Sequence, residues 1–234
     1  MSKTKVRPRS ERDTTPRKRS VGRPARGDQG VGQDALIEKT CELLRTMPPE
    51  QVSRAEVARY MGVDPSLIRY YFRDRSSLLL AAAQKLTRQF AITLEESLKR
   101  SGETTPEQQL QARVGAFLDM QVTYPFFHRL IIEEVVTSDA PAAKELLESL
   151  TQRGIGAYET ILKRGVKEGS MRKINASMLF LSIIGMCEFF VAGLPILEAA
   201  KGAPINAAAA ARQYRNFICD LVINGVRAQL AGGE

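Results

Sequence analysis

The sequence predicts an all-α protein of about nine helices, with a small three-helix unit at the front and a larger helical bundle behind it. Apolar residues recur at helical spacing in one segment after another, and no alternating strand pattern or hairpin signal interrupts them. Ser, Thr, Asp, Asn and Pro stand where those segments begin, and these are residues that start helices. With 234 residues, the chain is long enough for a mid-sized domain and a small one.

The first 30 residues form a basic arm that we expect to be disordered when free. Residues 1–27 contain ten Lys or Arg and two acidic residues, whereas residues 28–234 contain 24 of each kind. The whole net charge of +8 therefore lies in the arm. Like charges with few large apolar residues cannot build a core, and such a tail attracts polyanions. Because no apolar stretch follows, the arm is not a signal peptide.

The front unit, residues 31–80, is predicted to contain three short helices. The first covers residues 34–45. Ser53 and Glu56 have the spacing of a capping box and open the second helix, which Gly62 ends. Asp64 then caps a third helix at once.

Residues 81–234 are predicted to form the bundle, which shares a long helix with the front unit. Asp74 caps this helix, Thr105 and Gln108 have the spacing of a second capping box, and Asn175 caps a later helix that Pro195 cuts short. The helices after Asp74 are predicted over residues 75–100, 105–124, 126–137, 140–165, 176–194 and 206–229.

One apolar segment, residues 178–197, approaches the length of a membrane span. Glu188 lies in its middle and Pro195 near its end, which favours a helix buried on nearly all sides in a soluble protein. We therefore predict no membrane association. The three cysteines are far apart in apolar contexts, so neither a disulfide framework nor a metal cluster is indicated, and we expect a reducing, cytoplasmic compartment.

The second and third helices have the spacing of a helix-turn-helix, with the turn at residues 62–64. Gly62 tolerates the left-handed backbone that the corner needs, and Val63 can fill the angle between the helices. The segment from Gly62 to Leu79 reads GVDPSLIRYYFRDRSSLL. It resembles the signature of the TetR (tetracycline-repressor-like) family, Gly-Val-Ser-Pro-x-x-Leu-Tyr-Tyr-Tyr/His-Phe-x-x-Lys, and the resemblance extends over residues 33–80.

The resemblance implies that the chain binds double-stranded DNA at an operator. It assigns the major groove to Ser66, Leu67, Arg69 and Tyr70, and phosphate contacts to Ser53, Arg54, Tyr71 and Arg75. The residue types agree, because hydroxyls and helix N-termini suit phosphates and arginine reads guanine. Arg69 departs from the pattern, since it stands where the family usually has Tyr. Taken alone, Arg69-Tyr70-Tyr71 also fits a solvated face beside a half-buried aromatic pair.

The arm contains a second candidate DNA contact, Gly22-Arg23-Pro24-Ala25-Arg26. Arg23 and Arg26 suit a narrow A·T-rich minor groove. A tail that touches phosphates without sequence preference explains the same residues equally well.

Two helices of the bundle predict a homodimer. The helix over 176–194 is apolar on nearly every side, which one chain of this size rarely covers, and it contributes Ser182 and Gly185. The last helix supplies a matching stripe of Tyr214, Phe217, Ile218, Leu221 and Val222. A four-helix interface, which the resemblance also implies, places two recognition helices about 34–36 Å apart on a palindromic operator.

A cavity for a small-molecule effector is predicted in the bundle. Its candidate lining is aromatic and apolar with one carboxylate, namely Phe117, Met120, Tyr124, Phe127, Ile131, Tyr158, Ile161, Ile184 and Glu188. A plain packed core explains the same spacing, and the family resemblance favours a cavity without fixing its residues. If Glu188 lines the cavity, a cationic or hydrogen-bond-donating ligand is favoured.

These features predict a ligand-controlled repressor. Ligand entering the bundle would swing the helix over 75–100 and so change the spacing of the recognition helices. The alternatives are a ligand-independent dimeric DNA-binding or architectural protein and, less favoured, a helical-bundle enzyme or carrier. No catalytic or metal-ligating set has the required spacing, so we predict no enzyme activity, metal or cofactor.

Overall fold

The computed structural model describes residues 31–100 and 104–228, and this part of the chain is all-α, as the sequence predicts. Two short irregular turns, the 3₁₀ turn Pro49–Gln51 and the π-helical turn Ile132–Val136, also occur. The described residues form nine α-helices: α1 Gln33–Leu43, α2 Arg54–Met61, α3 Pro65–Tyr71, α4 Arg75–Arg100, α5 Pro106–Thr123, α6 Phe127–Ile131, α7 Pro141–Lys167, α8 Ala176–Lys201 and α9 Ala207–Val226.

Most of the predicted helix caps are confirmed. Gly62 ends α2 in the left-handed region at φ 66°, and Thr105 forms both bonds of the capping box that opens α5. Asp74 accepts a hydrogen bond from the Ser77 amide at 2.8 Å. The box at Ser53 is only half formed: its hydroxyl oxygen accepts from the Glu56 amide, but the Glu56 carboxylate pairs with Arg59 instead.

Two helix predictions are wrong, one at a helix end and one for a segment that divides in two. α8 continues through Pro195 to Lys201, where Gly202 ends it in the left-handed region. A proline inside a helix removes one backbone donor, yet α8 is continuous through Pro195, and the Gly202 amide donates to the Glu198 carbonyl at its end. The segment predicted as one helix over 126–137 divides into α6 and the π-helical turn Ile132–Val136.

The buried apolar residues form two cores on either side of α5. The front core joins α1 to α4 with residues from the bundle, among them Met120, Phe127 and Val135. The rear core joins α5, α7, α8 and α9. Because α4 packs with both α1 and α5, it belongs to the front unit and to the bundle at once.

α8 is less buried than the sequence predicts. Among its residues, Ile183, Cys187, Phe190 and Gly193 are buried, and a long apolar face remains exposed. Within the described ranges, α8 is also the one helix long and apolar enough to cross a membrane by length and composition, which for a single helix is weak evidence.

Candidate DNA-binding and effector sites

The outward face of α3 carries three of the residues predicted to read the major groove. Ser66, Arg69 and Tyr70 are exposed, with Tyr70 at 78%. Their i, i+3, i+4 spacing puts them on one side of a helix that begins at Asp64 and Pro65. Asp64 accepts a hydrogen bond from the Ser66 amide at 2.7 Å, and the bonds from Ser66 hold the pKa of the Asp64 carboxyl below its usual value. The cap therefore fixes the residue at which α3 begins.

Leu67 does not share that face, and its predicted place in the groove is wrong. Its side chain is 5% exposed, and it lies on the helix beside Ile68, which belongs to the front core. Tyr71 is half-buried against this core and meets the ring of Tyr70 edge-on at 5.0 Å between centroids. The aromatic pair thus spans from the core to the surface.

Arg54 makes its hydrogen bonds within the helix-turn-helix unit. Its Nη1 donates to the carbonyls of Phe72 at 3.2 Å and Arg73 at 2.7 Å, which ties the start of α2 to the end of α3. Ser53 is exposed at the same helix start. A candidate that sequence reasoning missed is Arg73, whose side chain is 95% exposed directly after α3.

Arg75 is turned inward, which counts against its predicted role as a phosphate contact. Its Nε donates to the Val52 carbonyl at 3.1 Å, Nη2 to the Pro49 carbonyl at 2.5 Å, and Nη1 to Glu134 Oε1 at 3.3 Å. All three nitrogens are therefore used within the chain. Glu134 lies in the π-helical turn and is 5% exposed, so the guanidinium joins the front unit to the bundle.

Two further contacts cross the same junction. Arg129 of α6 donates to Glu50 of the 3₁₀ turn at 2.6 Å. Arg45, just after α1, lies 3.5 Å from the Tyr124 hydroxyl and 5.5 Å above its ring centroid. The recognition unit is thus connected by charge and hydrogen bonding to α5, α6 and the π-helical turn.

The residues predicted to line one effector cavity are divided between different environments. Met120 and Phe127 are buried in the front core, and Tyr158 and Ile161 in the rear core. Phe117 packs against both cores and meets Phe90 edge-on at 5.9 Å. Tyr124 and Ile131 lie at the margin of the front core, and Ile184 is half-buried on α8.

Glu188 is half-buried between α8 and α5, and burial raises the pKa of its carboxyl. The proximity of His128 and of the Gln121 amide opposes this shift by favouring the ionised form. The carboxylate predicted for the effector site therefore has polar neighbours, which lie on two other helices.

A groove of about 770 Å³ opens between α4, α5 and α9. Met120 and Tyr124 are the two predicted lining residues that reach it. Arg45 stands at one part of its wall, and Arg215 pairs with Asp119 at another.

The residues predicted for a dimer interface fall into an exposed group and a buried group. An apolar face, defined by its exposed members, runs along α8 and α9 beside the exposed Ser182 and Gly185. It comprises Met178, Leu181, Phe189, Ile196, Phe217 and Leu221, which are 51–65% exposed.

Ile218 and Val222 are not part of this apolar face, and their prediction as interface residues is wrong. They are 1% and 6% exposed because this side of α9 packs into the rear core. Tyr214 is half-buried, stacks on Phe190 at 4.6 Å and donates to the Met186 carbonyl at 2.9 Å. Tyr214 therefore joins α9 to α8 within the chain. Arg23 and Arg26 lie outside the described residues.

A short helix presenting exposed polar side chains beside a bundle defines a helix-turn-helix protein with a helical second domain. A family model for the tetracyclin repressor-like C-terminal domain matches residues 106–222. The chain therefore belongs to the tetracycline-repressor-like family of transcriptional regulators, which is not a family of enzymes.

Relatives support the same family. The helix-turn-helix-type transcriptional regulator BetI of Escherichia coli strain K12 is 32% identical over 96 residues, which are 41% of this chain and 49% of BetI. The chain thus spans about half the length of the curated relatives it matches.

Solved structures share the fold. The ketosteroid transcriptional regulator KstR2 of Mycobacterium tuberculosis aligns with TM-score 0.62 and 12% identity, over 86% of this chain and 97% of that one. A structure from Saccharomonospora viridis, described as a transcriptional regulator in complex with choline, aligns with TM-score 0.64 and 13% identity, over 84% and 98% of the two chains.

Proposed function

We propose that the chain is a homodimeric transcriptional repressor that a small-molecule ligand releases from a palindromic operator. The observation that carries the proposal is the division of α3 into two faces. Ile68 is fully buried in the front core, while Arg69 and Tyr70 point outward without an intramolecular ion pair among the described residues. A helix whose inner face packs into a core and whose outer face carries exposed polar side chains suits the major groove of DNA.

Two copies are needed for a palindromic site, and the apolar face on α8 and α9 supports their association. Exposed apolar patches of this kind mark interaction surfaces. A second copy is the occupant proposed here because Gly185 has open space above its Cα, which permits close approach of another helix.

Control by a ligand is supported by the contacts at the junction. A ligand that moves α6 or the π-helical turn shifts Glu134 and Arg129, and these hold Arg75 and Glu50 of the recognition unit. The spacing of the two recognition helices then changes. The choline complex of the S. viridis protein supports a small molecule as the effector of this fold.

Selection of bound DNA from a random pool, using the full-length chain, tests the proposal. We expect a palindromic consensus with half-sites about one helical turn apart. Enrichment of a non-palindromic or unrelated set of sequences would contradict it. A ligand-independent DNA-binding protein, the second candidate, would select the same kind of DNA, but no small molecule in a release screen would free it.

Arg69→Ala is expected to weaken binding to the selected operator by about 1–3 kcal/mol, because a guanidinium contact to a base edge or phosphate is lost. The thermal unfolding midpoint should stay unchanged, since Arg69 is exposed. A gel-shift titration measures the affinity, and Arg153→Ala, an exposed change on α7, is the control. Equal affinity of Arg69→Ala and the unmodified protein would remove Arg69 from the interface.

Deleting residues 1–27 is expected to weaken binding and to flatten its dependence on salt. These residues carry all of the net charge of +8, and each phosphate neutralised adds to the salt slope. Affinities measured between 50 and 200 mM salt, as an approximate range, would reveal the difference. A slope identical to that of the full-length protein would show that the arm does not contact DNA.

A further inference from the structure

One face of α5 carries polar groups into the bundle interior. Arg113, Phe117 and Gln121 follow one another at i, i+4 and i+8, and we call these three residues the α5 seam. Two helical turns, about 12 Å, separate its polar ends. Phe117 packs against both cores, so the seam lies where they meet.

The Arg113 end of the seam holds a positive charge that no carboxylate contacts as an ion pair among the described residues. Its Nε is closed off from solvent and has no hydrogen-bond acceptor, and its guanidinium carbon stands 6.0 Å from the centroid of the Tyr158 ring. None of the ion pairs within the described residues includes Arg113. Burial lowers its pKa, although arginine remains protonated. A partly buried cation that lacks an ion-pair contact becomes more favourable when an anion reaches it.

The Gln121 end offers a hydrogen-bond donor. The side chain is 1% exposed, and its Nε2 makes no well-formed hydrogen bond, although it lies close enough to Glu188 to favour the ionised carboxyl. A hydroxyl or carbonyl oxygen would satisfy this amide. Glu188 already has His128 and Gln121 as polar neighbours. Arg113 has the Tyr158 ring and the charge of Glu95, an exposed residue of α4 that lies beyond ion-pair distance.

We propose that the effector is an organic carboxylate with an apolar body, held at its carboxylate by Arg113 and at its far end by Gln121. The inference rests on the proposed function and names the ligand class of its effector domain. The planar guanidinium matches a carboxylate through paired hydrogen bonds. Phe117 and Tyr158 supply the aromatic surface for the body between the two ends.

Probes that share one apolar body and differ in head group test this ligand class. Octanoate, octan-1-ol and octyltrimethylammonium form one set, and 2-naphthoate with 2-naphthol forms an aromatic set. Calorimetry and thermal shift on the full-length protein are expected to show at least one carboxylate binding about tenfold or more tightly than its neutral counterpart.

Arg113→Gln is expected to remove this preference, Arg113→Lys to restore part of it, and the exposed Arg153→Gln to leave it unchanged. Without a probe, Arg113→Gln should unfold at the same temperature or higher, because it removes an unpaired charge. A lower midpoint would indicate a structural role instead and would overturn the assignment.

Two outcomes of the binding experiment would overturn the proposal. One is that no carboxylate binds better than its neutral counterpart. The other is that octyltrimethylammonium binds best and Glu188→Gln removes its binding, which would assign the site to a cation. Calorimetry needs no operator, so failure here leaves the DNA selection intact, and failure of the DNA selection leaves these binding results valid.

Discussion

Arg75→Ala is expected to lower the free energy of unfolding by about 3 kcal/mol. The change removes hydrogen bonds to the carbonyls of Val52 and Pro49 and leaves the carboxylate of Glu134 buried without its cation. Breaking a buried pair from one side costs more than the pair contributes, because the remaining charge has lost its water. Arg75 is about one-third exposed, which keeps the expected loss at the lower end of the range for such pairs.

Urea unfolding followed by circular dichroism measures this loss. Arg73→Ala is the matched control, since Arg73 lies two residues away with a side chain that is 95% exposed, and its removal should change stability by less than about 0.5 kcal/mol. If Arg75→Ala keeps full stability while operator affinity falls, Arg75 contacts DNA in the way that the sequence alone predicts.

Glu134 provides a second test of the same contact. Glu134→Gln keeps the shape of the side chain and removes its charge, so it should cost less than Arg75→Ala, and the double variant should be less destabilised than the sum of the two. Additive losses would show that the two side chains act independently. π-helical turns are rare and often occur at functional sites, which is consistent with Glu134 standing at the junction between the recognition unit and the bundle.

The predictions that the structure confirms depend on local signals. Caps at Asp64, Asp74 and Thr105 act within one helical turn, so the residues that form them are readable in sequence order. The outward face of α3 was predictable for Arg69 and Tyr70 for the same reason. Leu67 was misassigned because a family pattern gives positions without giving the burial that this chain's own core imposes.

The predictions that the structure opposes depend on contacts between distant residues. Arg75 and Glu134 are 59 positions apart, and nothing in the local sequence pairs them. The stripe on α9 illustrates a second limit: its apolar residues occupy more than one helix face, and only packing determines that Ile218 and Val222 turn inward while Phe217 and Leu221 remain outside. Helical spacing identifies an apolar stripe but not the surface that covers it.

The effector domain shows the same limit for function. Phe117, Tyr158 and Glu188 were predictable as a group of suitable chemistry, yet the sequence did not reveal that they flank Arg113 and Gln121. From sequence alone, an arginine in an amphipathic helix is predicted to be exposed to solvent. The missing acceptor at its Nε emerges only when α7 and α5 are placed together.

Phe189→Asp combined with Phe217→Asp is expected to convert a dimer into monomers and to lower operator affinity by a factor of about 10² to 10⁴. Both side chains are exposed, at 65% and 61%, so their loss should barely change the stability of a single chain. Two carboxylates placed on the apolar face would be desolvated without partners when a second copy approaches. Each monomer would then retain one recognition helix and bind a single half-site.

Light scattering measures the oligomeric state of this variant, and a gel-shift titration measures its binding to the palindrome and to an isolated half-site. Val166→Asp is the control, because Val166 is also exposed, at 43%, but lies on α7, which contributes no residue to the apolar face. The double variant should bind the half-site about as well as the unmodified protein does, which separates lost pairing from lost folding. A variant that stays dimeric would move the interface elsewhere, and a monomer with undiminished affinity for the palindrome would show that pairing contributes nothing to operator binding.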